Sequence, residues 1–119
     1  MKRVKELLIV FFSAYILIHG YILLYQRDLI YLNQQTGPLE PPKDIAQSVT
    51  FESADGIKLT GWWVTPASTK NARALLYCHG NGATLNQLRH VAKLFYDYGV
   101  HALLFDYRSY GSSEPGELT

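Results

Sequence analysis

"ALLYCHGNGAT", residues 74–84, sets a short apolar run against Cys78 and His79, then two glycines bracketing Asn81, then Thr84, a residue that can open a helix. An apolar run that ends in a glycine turn and passes into a helix begins a βαβ unit, and "VHALLFDYR", residues 100–108, supplies the second strand. Between the two, Leu85, Leu88, Ala92 and Phe95 recur at steps of three and four, the spacing of one helix face. Gln87 stands three residues after Thr84 to complete a capping box, and Gly99 follows Tyr98 as a left-handed cap. The pattern predicts a helix from Thr84 to Tyr98 joining two parallel strands, each apolar enough to be buried on both faces, with a right-handed crossover.

Towards the amino terminus, "QSVTFESADGIKLTGWWVTP" (residues 47–66) alternates apolar and polar residues on either side of Asp55-Gly56, a two-residue turn signal. That is an antiparallel hairpin. The stretch before it, "NQQTGPLEPPKDIA" (33–46), holds three prolines and little periodicity, so it reads as an extended connector. From Leu7 to Tyr25 the chain has nineteen residues without a formal charge. At ~1.5 Å rise per residue these nearly span the ~30 Å hydrocarbon core of a bilayer. The run ends in "YILLYQRD" with no small-residue cleavage site, which favours a retained transmembrane helix over a cleaved signal. Lys2, Arg3 and Lys5 precede it and only Arg27 closely follows, so the positive-inside bias places the N-terminus in the cytoplasm and the rest across the membrane. His19, a lone imidazole in the span, is expected to be neutral and locally bonded. The organisation is thus residues 1–26 as tip and membrane anchor, 27–46 as connector, and 47–119 as an α/β domain.

Charge and cysteine content exclude several functions. A net charge of +1 with interleaved signs leaves no basic stripe for nucleic acid. Cys78 is the single cysteine, so neither an internal disulfide nor a Cys-rich metal site can form, and His90 and His101 have no acidic or cysteine partner at ligand spacing. No metal and no cofactor is expected. A dinucleotide reading draws on Gly80-Asn81-Gly82 between strand and helix and on Asp106 at the end of the next strand. It lacks the third glycine of the fingerprint, where this chain has Leu85, and there is no phosphate-loop lysine.

The other chemistry suited to such a turn is oxyanion stabilisation, because preorganised backbone N–H groups at a side-chain-poor turn bind the negative oxygen of acyl transfer. "YQRDLIY" after an apolar helix, then "SADGIKLTGWWVTP", "LLYCHGNGAT" and "LLFDYRSYGSSEPGE", occur in the order in which the α/β-hydrolase superfamily carries its landmarks, and the chain resembles the membrane-anchored branch of that superfamily over residues ~20–119. The resemblance implies an α/β fold: the N-terminal portion of the hydrolase sheet, preceded by one transmembrane helix. It implies the Asn81 backbone N–H as one oxyanion donor, with His79, Gly80 and Gly82 shaping its loop and Asp106 and Arg108 supporting the neighbouring one. Its substrate class would be an acyl ester, thioester or amide, with the lipid bilayer as the other partner. Two departures stand out: the family usually has His-Gly-Asn-Ala-Gly where this chain has His79-Gly80-Asn81-Gly82-Ala83, and Gly where this chain has Ser109.

Such an enzyme needs a nucleophile in G-x-S-x-G, an acid and a base, in that chain order. None is present: Gly111-Ser112-Ser113-Glu114-Pro115 lacks the final glycine and the strand–elbow–helix context, so Ser112 and Ser113 read as loop residues. The expectation is therefore an inactive front portion of a serine hydrolase. A non-catalytic, membrane-anchored interaction protein of hydrolase-like shape is the alternative, and a dinucleotide-binding βαβ unit the third reading.

Overall fold

The computed structural model describes residues 2–32, 34–68 and 73–118. It divides into two units, Met1–Leu32 and Asn33–Thr119. The first is helix α1, Lys2–Ile30, with no buried residue and a mean hydropathy of 2.3 over its most apolar window, long and apolar enough to cross a membrane. The helix runs past the predicted end of the anchor and takes in residues 27–30 of the predicted connector. Residues 34–46 of that connector are part of the second unit: the Thr36 N–H donates to the Gly111 carbonyl at 2.7 Å, and the Gly111 N–H donates to the Gln34 carbonyl at 2.7 Å. Prolines cannot join a ladder, but the residues before them can pair with a loop.

The second unit is a four-stranded mixed sheet in the order β1-β2-β4-β3, built from β1 (Ala46–Glu52), β2 (Lys58–Val64), β3 (Ala74–Tyr77) and β4 (His101–Phe105). β1 and β2 form the predicted antiparallel hairpin, with Phe51 opposite Leu59. Its turn is not the two-residue type. Ser53 N–H donates to the Ile57 carbonyl and Gly56 N–H to the Ser53 carbonyl, both at 2.9 Å, and only Gly56 of the Asp55-Gly56 pair is left-handed. Asp55 stays out of the left-handed region that a type I′ turn demands; its carboxylate accepts the Ser53 hydroxyl and the Arg108 guanidinium instead.

β3 and β4 are parallel, and β4 lies antiparallel against β2, which fuses the hairpin to the βαβ unit. Residues opposite each other in a ladder share a face, so Trp62 with Leu104 and Val64 with Ala102 form one apolar surface, and all four are fully buried. The crossover covers that surface with Leu85, Leu88 and Ala92, and with Phe95 packed against them, which are the four residues of the predicted stripe. The crossover differs in one respect: Leu85–Leu88 is a 3₁₀ turn, and the α-helix proper, α2, is Arg89–Asp97. At the far end Gly99 N–H bonds the Tyr96 carbonyl and Val100 N–H the Phe95 carbonyl, the paired bonds of a Schellman cap.

The two strands are apolar enough for burial on both faces, and within this unit only one face is covered among the described residues. β4 alternates between buried and half-buried positions, and β3 is an edge strand with Leu75 40% and Leu76 60% exposed. One helix covers one face. On the other, Phe51 meets Phe105 edge-on and Trp63 stacks on His101, each at 5.7 Å, without a covering layer among the described residues of this unit.

Candidate functional site

The carboxyl ends of β3 and β4 lie side by side because the strands are parallel, and both run into turns there. After β3, the Ala83 N–H donates to the Gly80 carbonyl at 3.1 Å, closing a four-residue turn with Asn81 and Gly82 in the middle. Gly82 has φ +81°, the conformation required at the third position of a type II turn, so a glycine is needed there and Asn81 falls at the second position. After β4, residues 106–116 fold back along β2: Ser113 Oγ accepts the Thr60 N–H at 2.9 Å and donates to the Asp106 carbonyl at 2.7 Å.

Asp106 is the hub of the site. Its side chain is buried; Oδ1 accepts the Leu85 N–H at 2.7 Å and Oδ2 the Ser112 N–H at 3.3 Å. The sequence placed Asp106 as support for the loop beginning Tyr107-Arg108, whereas the carboxylate reaches back to the helix start and forward to Ser112. By bonding Leu85 it occupies a donor at the helix N-terminus, the position a bound phosphate would take in a dinucleotide site. Thr84 N–H donates to Gln87 Oε1 at 3.3 Å, the return arm of the predicted capping box. The 3₁₀ first turn sits where these two side chains draw in its donors. Burial pushes the Asp106 carboxyl above its ordinary range, while the two N–H donors and His79 pull it back.

His79 lies under the turn with its side chain fully buried. Its Nδ1 donates to the Gly80 carbonyl at 2.9 Å, and its Nε2 is 3.6 Å from Asp106 Oδ1, with no hydrogen-bond partner among the described residues. Two tyrosines clamp the turn: the Tyr107 hydroxyl donates to the His79 carbonyl at 2.9 Å, and the Tyr110 hydroxyl to Asn81 Oδ1 at 2.7 Å. Burial also pushes the Tyr107 phenol up, which keeps it a donor. The structure therefore brings His79, Gly80, Asn81, Gly82 and Asp106 together. Arg108 stands apart, pairing in bidentate fashion with Asp55 of the β1–β2 turn at 2.6 and 3.0 Å. Sequence reasoning missed Tyr110, and the only signal for it was its place beside Gly111. Ser109 and Ser113 are buried, Ser109 Oγ bonded to the Gly116 backbone and Ser113 Oγ to Thr60 of β2 and to the Asp106 carbonyl.

No family model matches the chain. It is 31% identical over 121 residues to an uncharacterized protein of Mycobacterium tuberculosis (strain CDC 1551 / Oshkosh), a match covering 98% of this chain and 42% of that protein. An uncharacterized protein of strain ATCC 25618 / H37Rv is 34% identical over 94 residues, covering 76% of this chain and 33% of the relative. The chain thus spans well under half the length of these relatives. Among solved structures, an esterase of Pyrococcus furiosus superposes with a TM-score of 0.60 at 24% identity, over 73% of this chain and 34% of the esterase. An α/β hydrolase from Penicillium sp. sh18 gives a TM-score of 0.52 at 28% identity, over 59% of this chain and 24% of that one. An epoxide hydrolase of Vigna radiata gives a TM-score of 0.52 at 23% identity, over 65% of this chain and 23% of the enzyme. With an apolar helix followed by a hairpin and a βαβ unit in one mixed sheet, the chain carries a partial α/β-hydrolase fold.

Proposed function

We propose that the chain is the N-terminal portion of a single-pass, membrane-anchored serine hydrolase that cleaves an ester, thioester or amide bond through an acyl-serine intermediate. Helix α1 is the retained anchor in this reading, with the N-terminus cytoplasmic and the folded unit on the opposite side. The Asn81 backbone N–H is one oxyanion donor, and nucleophile, acid and base come from sequence beyond these residues. The observation that carries the reading is the clamped turn: Asn81 sits at the end of a parallel strand, fixed by Tyr110 on its own side chain and by Tyr107 through His79. Catalysis by an oxyanion hole needs donors fixed before the charge develops, and a turn held from both sides meets that need.

The test is a chimera of residues 1–119 with the portion of the Mycobacterium tuberculosis relative that follows the matched region, assayed on p-nitrophenyl acyl esters. Proline suits the second position of a type II turn, so Asn81→Pro removes the N–H while keeping the turn. It should lower kcat by about 10²–10³-fold. Asn81→Ala, which keeps the donor, should cost far less; equal losses in the two variants would sink the assignment. Residues 1–119 alone should not react with a serine-directed fluorophosphonate, and labelling at Ser109, Ser112 or Ser113 would overturn the reading. The exposed leucines of β3 favour a second reading, a non-catalytic hydrolase-like interaction protein, in which the chimera is inactive whatever stands at position 81.

A further inference from the structure

His19, the one imidazole of the charge-free stretch, is exposed on α1, and its Nδ1 lies 2.9 Å from the Tyr15 carbonyl oxygen. A carbonyl only accepts, so Nδ1 carries a proton, and Nε2, the nitrogen that can accept, has no donor to it among the described residues. The Tyr15 ring lies against the imidazole at a centroid distance of 3.9 Å, tilted by 34°, and its hydroxyl is a donor with no acceptor among the described residues. Leu8, Phe12, Tyr15, His19, Ile22 and Gln26 follow one another at steps of four and three, the 3.5-residue repeat that keeps one seam facing a neighbouring helix. Hydrocarbon supplies no partner for either polar group on that seam.

We propose that α1 pairs in parallel with α1 of a second copy along this seam. The Tyr15 hydroxyl of each copy donates to His19 Nε2 of the other, and the two Gln26 amides pair near the end of the span. The inference rests on the membrane-anchored reading given above. A second copy fits because identical anchors enter the membrane in one orientation and bring Tyr15 and His19 to one depth. Each copy offers one donor and one acceptor on the same seam, the self-complementarity that a two-fold interface requires. A helix from another protein would have to bring both groups in that register.

The full chain, labelled at its amino terminus with a donor or an acceptor fluorophore, is reconstituted in phosphatidylcholine vesicles at falling protein-to-lipid ratios. Energy transfer above the random-proximity level, declining on dilution, is expected. His19→Leu, which leaves the helix more apolar, should weaken association about fivefold, and Tyr15→Phe similarly. The double variant should weaken no further than the stronger single one, because both remove the same bond. Transfer at the random level, or transfer unmoved by His19→Leu, overturns the pairing. Vesicle flotation separates the two failures: a chain that floats but does not pair overturns the pairing alone, and one that does not float overturns the anchor and the pairing with it.

Discussion

Ser109 is held at φ +65°, a conformation that costs a non-glycine residue roughly 1–2 kcal/mol. Its hydroxyl offsets that strain by accepting the Gly116 N–H and donating to the Gly116 carbonyl, each at 3.0 Å, which explains how a side chain survives where the resembling family carries glycine. No such exchange is open at Gly111. It also has positive φ, and a Cβ there would overlap the Asp106 carboxylate. Gly111→Ala should therefore destabilise the folded unit by about 3 kcal/mol or more, read from urea unfolding of the full chain in detergent; a loss under about 1 kcal/mol would contradict the packing. Asp55 gives a prediction in pH. The Ser53 hydroxyl and then the Arg108 guanidinium lower its pKa from 3.8 to about 2. A depressed carboxyl contributes stability above its unfolded value, and that contribution fades as pH falls from about 4 towards 2. In Asp55→Asn the acid-side loss over that window should be smaller than in the wild type, by thermal melts at stepped pH.

At the scale of elements, the crossover illustrates how a neighbouring strand edits a local signal. Thr84 and Gln87 specify where the helix starts, and their bond forms, but the first turn is 3₁₀ where Asp106 takes the Leu85 N–H. Asp106→Ala would leave the buried Leu85 N–H and the half-buried Ser112 N–H without their acceptor. An unfolding free energy lower by about 2–4 kcal/mol is expected, together with loss of helical circular dichroism at the crossover. An unchanged unfolding curve would mean the carboxylate is not the hub. The sequence held the strand, turn and helix of this region; it did not hold the reach of one carboxylate across 21 positions, since that depends on β4 lying beside β3.

At the scale of the folded unit, the sheet is covered by a helix on one face only among that unit's described residues, where β3 is also an unpaired edge with Leu75 and Leu76 exposed. Apolar edge strands are templates for further pairing. Leu76→Lys should reduce self-association of the chain in detergent, seen as lower light scattering, with the melting temperature little changed. A drop in melting temperature of more than about 5 °C would show that Leu76 packs in the monomer.

The sequence by itself determined the elements: a charge-free helix at the start, an alternating hairpin, and two apolar runs joined by an amphipathic crossover. Each of these signals is local, carried by periodicity and by turn residues within ten or twenty positions. It also pointed to the turn at Asn81. Only the tertiary structure decided that β4 inserts between β2 and β3, that the hairpin turn opens to meet Arg108, and that Tyr107 and Tyr110 clamp the 79–82 loop from the next strand's end. Those contacts join residues 28 to 53 positions apart, and no local pattern encodes a distance of that kind.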